Sequence, residues 1–288
     1  MDILNNLVFM LLNGFVWGSI IALIALGLSL IFGLTEILNL AHGELYMLGA
    51  VITWVVVTHI GNFWLALIIA PICVGVLGLI IYKFILKPVE NNILNAIIIT
   101  FGLSLILQYC VLASFGAAPQ RIAEPIKYDL TIFNSGFSFY RIVAAVISCI
   151  IVSSLWIFLN RTKFGLWMRA VSQNKDSAIS LGIPVQFVYL ITFGLGSALA
   201  ALGGVLAAPI VSVSFNMGLD ILVLSFMAAI IGGLGNLKGT FAAAILIAEV
   251  ENILSVFSDP VYARIISLII ISAVLIIRPG GLLLKKAE

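Results

Sequence analysis

The residues with chemistry to offer are few, and most of them sit in apolar company. Thr35, Glu36, Asn39, His42 and Glu44 interrupt the run GLTEILNLAHGELYMLGA from 33 to 50, and Asn236, Lys238 and Thr240 interrupt a second region at GGLGNLKGT, 232 to 240. Imidazole titrates near neutrality, so His42 has the chemistry for proton coupling. Between Asn39 and Glu44 it reads either as a polar contact of the first interruption or as part of its loop. His42 and His59 are the only histidines, too few and too poorly accompanied for a metal site, and His59 reads as a membrane-interface residue. Lys238, Gly239 and Thr240 superficially suggest a phosphate loop. A P-loop needs Gly-Lys after four spacers, and the chain contains no Gly-Lys pair. Gly233 and Gly235 lack the third glycine and the βαβ context of a dinucleotide fingerprint. Glu249 and Glu251 lie in an apolar run, where an acid is costly enough to face protein or water. Two positions apart, they cannot share one helical face, and no basic residue in the same run pairs with them, which weighs against a proton relay.

These residues need positioning by elements that live in lipid. Of 288 residues, 63% are hydrophobic and 9% charged, against roughly 25% charged in an ordinary soluble domain. No basic stripe with interleaved aromatics is present, which argues against nucleic-acid partners. Hydropathy gives spans near 7–32, 44–59, 63–83, 93–115, 140–159, 186–209, 221–236, 239–256 and 261–277. The expected fold is therefore an all-α, polytopic transmembrane bundle, one permease-like domain over 1–288, with broken or re-entrant segments near 33–44 and 232–240. The seventh and eighth segments are the weakest, and eight spans stands beside nine. MDILNN carries no Lys or Arg, so the first apolar segment reads as a retained span rather than a signal peptide. Lys83 and Lys87, the loop at 160–184, Lys238, and Arg278 with Lys285 and Lys286 all fall inside if the N-terminus is outside. Small residues at Gly14, Gly18 and Ala22, and at Gly196, Ala200, Gly204 and Ala208, read as helix-packing stripes. Cys73, Cys110 and Cys149 form no Cys-x-x-Cys pair and read as buried small hydrophobes. Broken segments are the best sequence pointer to a substrate path, so Thr35, Asn39, His42, Glu44, Asn236 and Thr240 are its candidates.

The long polar run is NRTKFGLWMRAVSQNKDSAISLGIP, inside a cytoplasmic loop at 160–185, with Arg161, Lys163, Arg169 and Lys175 against Asp176. Within it, KDSAISLG predicts a short helix capped by Asn174 and stopped by Gly182, with Pro184 beyond. So short a helix is not stable alone, and its apolar Ala178, Ile179 and Leu181 suggest a docking surface.

Four ordered segments, GLSLIFGLTEILNLAHGELYMLGA, RAVSQNKDSAISLGIP, GLGSALAALGGVLAAP and RPGGLL, give the chain a family likeness. It resembles the permeases of branched-chain amino-acid ABC transporters over nearly its whole length, and the LivH-type subunit more than the LivM-type. KDSAISLG is similar to the EAA loop of importer permeases. Asp176, Ser177 and Ala178 stand at its first three positions and Gly182 at its glycine, with Asp and Ser replacing the consensus Glu and first Ala. The resemblance implies a multi-pass subunit of the bacterial cytoplasmic (inner) membrane that catalyses no reaction. Its implied partners are a LivM-like second permease, two cytoplasmic ATPase subunits and a periplasmic or lipid-anchored binding protein. No cofactor would bind this chain, and ATP and Mg would sit on the partner ATPases. Lys175, Asp176, Ser177, Ala178, Ile179, Leu181 and Gly182 would dock in an ATPase groove. The implied cargo is a branched-chain or other small neutral amino acid, with urea or a short amide as the rival. A self-sufficient facilitator or channel is the reading from another class, and the docking helix argues against it.

Overall fold

The structure, a computed structural model, describes residues 2–90, 92–132, 135–257 and 259–277. The terminal RPGGLL, with Arg278, Lys285 and Lys286, lies outside the described residues. The helices in chain order are α1 (Asp2–Thr35), α2 (His42–Ile60), α3 (Phe63–Ile81), α4 (Ile93–Phe115), α5 (Phe139–Arg161), α6 (Lys163–Gln173), α7 (Lys175–Ser180), α8 (Val185–Ala207), α9 (Met217–Gly232), α10 (Leu237–Phe257) and α11 (Pro260–Ile277). Asparagines start both α3 and α4: Asn62 accepts from Trp64 N at 2.9 Å ahead of α3, and Asn92 from Asn95 N at 3.2 Å ahead of α4. At its C-terminal end α3 widens through a π turn, Tyr82–Leu86, and then tightens into a 3₁₀ turn, Lys87–Val89.

Among the described residues seven helices are long and apolar enough to cross a membrane: Val8–Thr35, His42–Ile60, Phe63–Val89, Ile93–Phe115, Phe139–Arg161, Val185–Ala207 and Leu237–Val256. The expectation of eight or nine also counted a segment at α9, which is shorter at 16 residues, and one at α11. The expectation of helices alone missed an antiparallel hairpin on the outer segment, β1 (Asp129–Ile132) with β2 (Ser135–Ser138), Asp129 opposite Ser138.

The apolar runs do different jobs. In α1 and α8 83% and 72% of the most apolar window is buried, against 28% in α4 and α5, so the first two form the centre and the latter two the outer wall. Small residues make that centre possible. A Cβ on Gly27 would lie 2.5 Å from the carbonyl oxygen of Gly196, and one on Gly18 2.8 Å from Ile245 Cα, so α1 meets both α8 and α10 backbone to backbone. The cysteines depart from expectation: Cys73 and Cys110 are exposed on outward faces and Cys149 is half-buried. The physical reason is that apolar neighbours do not imply an interior position where the outer face meets lipid.

α2 and α9 start inside the bundle. His42, the first residue of α2, places Nε2 3.1 Å from the carbonyl of Ile24, which is eleven residues (24 to 35) and so roughly 16 Å up α1 from its end. The extended segment between α1 and α2 therefore climbs back towards mid-depth. The first turn of α9 meets it there, since a Cβ on Gly218 would lie 2.8 Å from the Gly43 carbonyl oxygen. α9 is reached from the outer end of α8 through a loop whose Val213 pairs with Gln120 by two 2.8 Å backbone bonds.

Candidate functional site

The polar loop at 160–185 folds as two helices joined at Asn174. Thr162 ends α5 and begins α6, its hydroxyl accepting from Gly165 N at 3.1 Å. Arg169 is not free on the surface, because its guanidinium donates to the carbonyl of Leu159 and at 3.4 Å to Asn160 Oδ1, tying α6 to the last turn of α5. Asn174 then caps α7 by accepting from Ser177 N at 2.8 Å. Gly182 adopts φ 76°, and two bonds close the helix: Gly182 N to Ile179 O at 2.9 Å and Ile183 N to Ala178 O at 3.0 Å. That pair of bonds is a Schellman stop, and its left-handed residue favours glycine. On this short helix Ala178 turns inward at 1% exposure, while Ile179 and Leu181 stand out at 53% and 78%. The outward apolar surface is therefore Ile179 and Leu181, flanked by exposed Lys175, Asp176 and Ser177, and Ala178 serves as its anchor to the bundle. Lys175 Nζ lies 5.7 Å from the Tyr189 ring of α8. Beside it, the Tyr82 hydroxyl donates to Glu90 Oε2 at 3.0 Å and Gln186 Nε2 donates to Glu90 Oε1 at 2.8 Å, pinning the end of α3 to the start of α8.

The first interruption is a real break with its backbone groups accounted for. Thr35 Oγ1 donates to Ile31 O at 2.8 Å and accepts from Ile37 N at 3.3 Å, and Glu36 takes a left-handed φ of 55° at the turn. Asn39 Oδ1 accepts from Ala41 N at 3.0 Å. Thr100 of α4 reaches across, accepting from Leu40 N at 3.2 Å and lying 3.3 Å from Leu38 O as donor. Glu44 accepts from Ser104 at 3.1 Å through Oε1, while its Oε2 and His42 Nδ1 are buried without a partner among the described residues. Glu44 Oε2 lies beside Gly218, where a Cβ would meet it at 2.6 Å.

The second interruption lies at the end of the bundle that carries α6. Gly233 and Gly235 adopt φ of 89° and 83°, and Asn236 Oδ1 accepts from Gly239 N at 3.2 Å to start α10. Ser29 of α1 fastens the break by accepting from Gly235 N at 3.1 Å and approaching the Thr240 hydroxyl at 3.2 Å. The two interruptions touch at one point, since a Cβ on Gly33 would fall 2.7 Å from Gly235 Cα. Around Asn236 opens a cavity of about 430 Å³ whose wall runs from Ser29 and Gly33 of α1 to Met168, Arg169 and Ser172 of α6. Lys238 lies over the Trp156 ring at 5.6 Å, on the rim of the same cavity.

The six path candidates thus fall into separate places. Asn39, His42 and Glu44 are buried together near mid-depth, Thr35 closes the C-terminal end of α1, and Asn236 and Thr240 belong to the second break. The cavity around Asn236 is lined by none of Asn39, His42 and Glu44. Sequence reasoning missed Ser29, Thr100 and Ser104, which hold both breaks. One signal was available: Thr100, Ser104 and Gln108 recur every fourth residue in an apolar helix and are all buried.

Long apolar helices around a glycine-packed centre, with two helices beginning inside it, define a multi-pass membrane protein. The chain belongs to the family described as branched-chain amino acid transport system / permease component, matched over residues 10–277. It is 27% identical over 291 residues to the high-affinity branched-chain amino acid transport system permease protein LivH of Salmonella typhimurium, covering 94% of this chain and 93% of that one. It is similarly 28% identical to the permease protein BraD of Pseudomonas aeruginosa, over 95% and 94% of the two chains. A probable LivH of Methanocaldococcus jannaschii is 26% identical, over 95% of this chain and 91% of its own. No solved structure matches the chain.

Proposed function

We propose that this chain is the membrane permease subunit of an ATP-driven importer of the bacterial inner membrane, taking up branched-chain or other small neutral amino acids. In this reading it pairs with a second, LivM-like permease. Two cytoplasmic ATPase subunits bind ATP and Mg and supply the energy, and an extracytoplasmic binding protein delivers the cargo. The observation that carries it is α7: a six-residue helix, capped at both ends, that holds Ile179 and Leu181 out towards the cytoplasm. Isolated helices of that length do not persist, and a helix so carefully terminated but so exposed is built to be received by another protein. The names of the relatives support the cargo.

Coupling would run through α6. Docking on α7 pushes on α6, whose Met168, Arg169 and Ser172 line the cavity beside the 234–238 break. Movement there shifts the start of α10 against Ser29 and Gly33 of α1, and so opens or closes the inner end of the path.

Gly182→Val tests the coupling step. A side chain at φ 76° destabilises the left-handed stop by about 1–2 kcal/mol, and uptake by the assembled transporter should fall about 5- to 30-fold. Membrane insertion should be unchanged. Full uptake with normal ATPase association would reject the coupling role. The cargo is tested by uptake in the reconstituted complex of leucine, valine, polar amino acids and urea, where transport of urea alone would overturn the amino-acid reading.

A further inference from the structure

At the outer end of the bundle, away from both interruptions, lies a second polar cavity of about 410 Å³. It falls within the 300–1,000 Å³ range of small-molecule sites. Three helices and a loop build it: Asn13 and Trp17 from α1, Arg141 from the first turn of α5, Ile210 and Val211 after α8, and Glu251, Asn252 and Ser255 from the outer part of α10. Its charges are arranged unusually. Arg141 is held in place by donating to Asn13 Oδ1 at 2.6 Å, and Glu251 Oε2 is buried with no partner among the described residues. Both face one cavity, yet the ion pair found among the described residues is Arg264 with Asp220, not Arg141 with Glu251. An oriented guanidinium and a carboxylate with one oxygen lacking a hydrogen bond line the same space, the carboxylate also feeling the charge of Arg264, and beside them runs an aliphatic wall of Val16, Ile210 and Val211 closed by Trp17.

We infer that this cavity is an outer binding site for a zwitterionic amino acid with a short apolar side chain, its carboxylate on Arg141, its ammonium on Glu251 and its side chain against Val16, Ile210 and Val211. Guanidinium and carboxylate are matched partners. A buried acid oxygen without a hydrogen bond is costly unless a ligand supplies the donor. A sugar or an amide could use the polar groups but has no use for two opposite charges set apart. The site rests on the amino-acid reading of the transporter and adds where the cargo is held after delivery, before the path opens inward.

The test uses the assembled transporter in membrane vesicles, with Cys73, Cys110 and Cys149 replaced by serine and Ser255→Cys placed on the cavity wall. Asn252→Cys gives a second reporter on the same wall. A membrane-impermeant maleimide should label either reporter from outside. L-leucine at twice its Kd should slow labelling roughly threefold, because only the empty fraction reacts. Leucinamide, which lacks the carboxylate, and 4-methylpentanoate, which lacks the ammonium, should not protect, and Arg141→Gln should abolish the protection by leucine. Equal protection by all three compounds, or by none, in a complex that still accumulates leucine would overturn the site and leave the transport reading standing. A wild-type complex that accumulates no amino acid would overturn both.

Discussion

Thr100 holds the segment between α1 and α2 from the side, through Leu38 and Leu40. Away from water, backbone groups deprived of partners are expensive. Thr100→Ala should therefore cost about 1–3 kcal/mol, read as a lower unfolding midpoint of the purified protein, while Thr100→Ser should keep most of the stability. Equal stability in the alanine variant would mean that the segment finds other partners. Glu44 is the other residue whose neighbours define it. Its carboxylate was legible in the sequence as a polar residue of the first interruption, but its partner was not. Ser104 is 60 positions away and belongs to a helix that hydropathy reads simply as apolar. The cap and stop of α7 were legible in full, because Asn174 and Gly182 act on groups within five residues of themselves.

Helices were read from hydropathy because the membrane imposes length and composition on each one separately. Their faces were not, since lipid and protein interior are similarly apolar and hydropathy does not tell Cys110, which points outwards, from Val111, which is buried. The start of α9 was misjudged by four residues, 221 against Met217, for a related reason: its first turn is enclosed by α2, so a polar Asp220 on its open side hides the helix in the sequence pattern. Small residues gave the central contacts away at Gly18 and Gly196. Gly27, the partner of Gly196, lay outside the recognised stripe. Gly27→Leu should separate α1 from α8 and yield aggregated or degraded protein, measured by gel filtration in detergent; a monodisperse and active variant would show that the two helices tolerate a wider gap.

At the scale of the molecule, basic residues gather at one end of the bundle. Lys83, Lys87, Arg169 and Lys238 all fall at the end of the bundle that carries α6, α7 and the second break, and the β1–β2 hairpin and Arg141 lie at the other. Tyr128→Cys, in a chain whose native cysteines are replaced, should react with an impermeant reagent from outside intact cells, and Ser172→Cys only after the membrane is opened. Labelling in the reverse order would invert the topology and with it the place proposed for the ATPases. The outer faces of α4 and α5, with Ile98, Phe101, Ile106, Val146, Ile150 and Ile157 exposed, leave a broad apolar surface of the kind that meets lipid.

The centre of the bundle also fixes when the protein can be finished. α1 leaves the ribosome before the other described helices, yet the helices it packs against most closely, α8 and α10, are made late, eighth and tenth of eleven. Ser29 waits 206 residues for the backbone of Gly235. During synthesis α1 must sit in lipid with its glycine faces uncovered and Ser29 without its later partners, so the nascent chain passes through a long stage in which its most buried helix lacks its packing surfaces. A stalled or truncated chain lacking α8 would present the packing face of that helix openly.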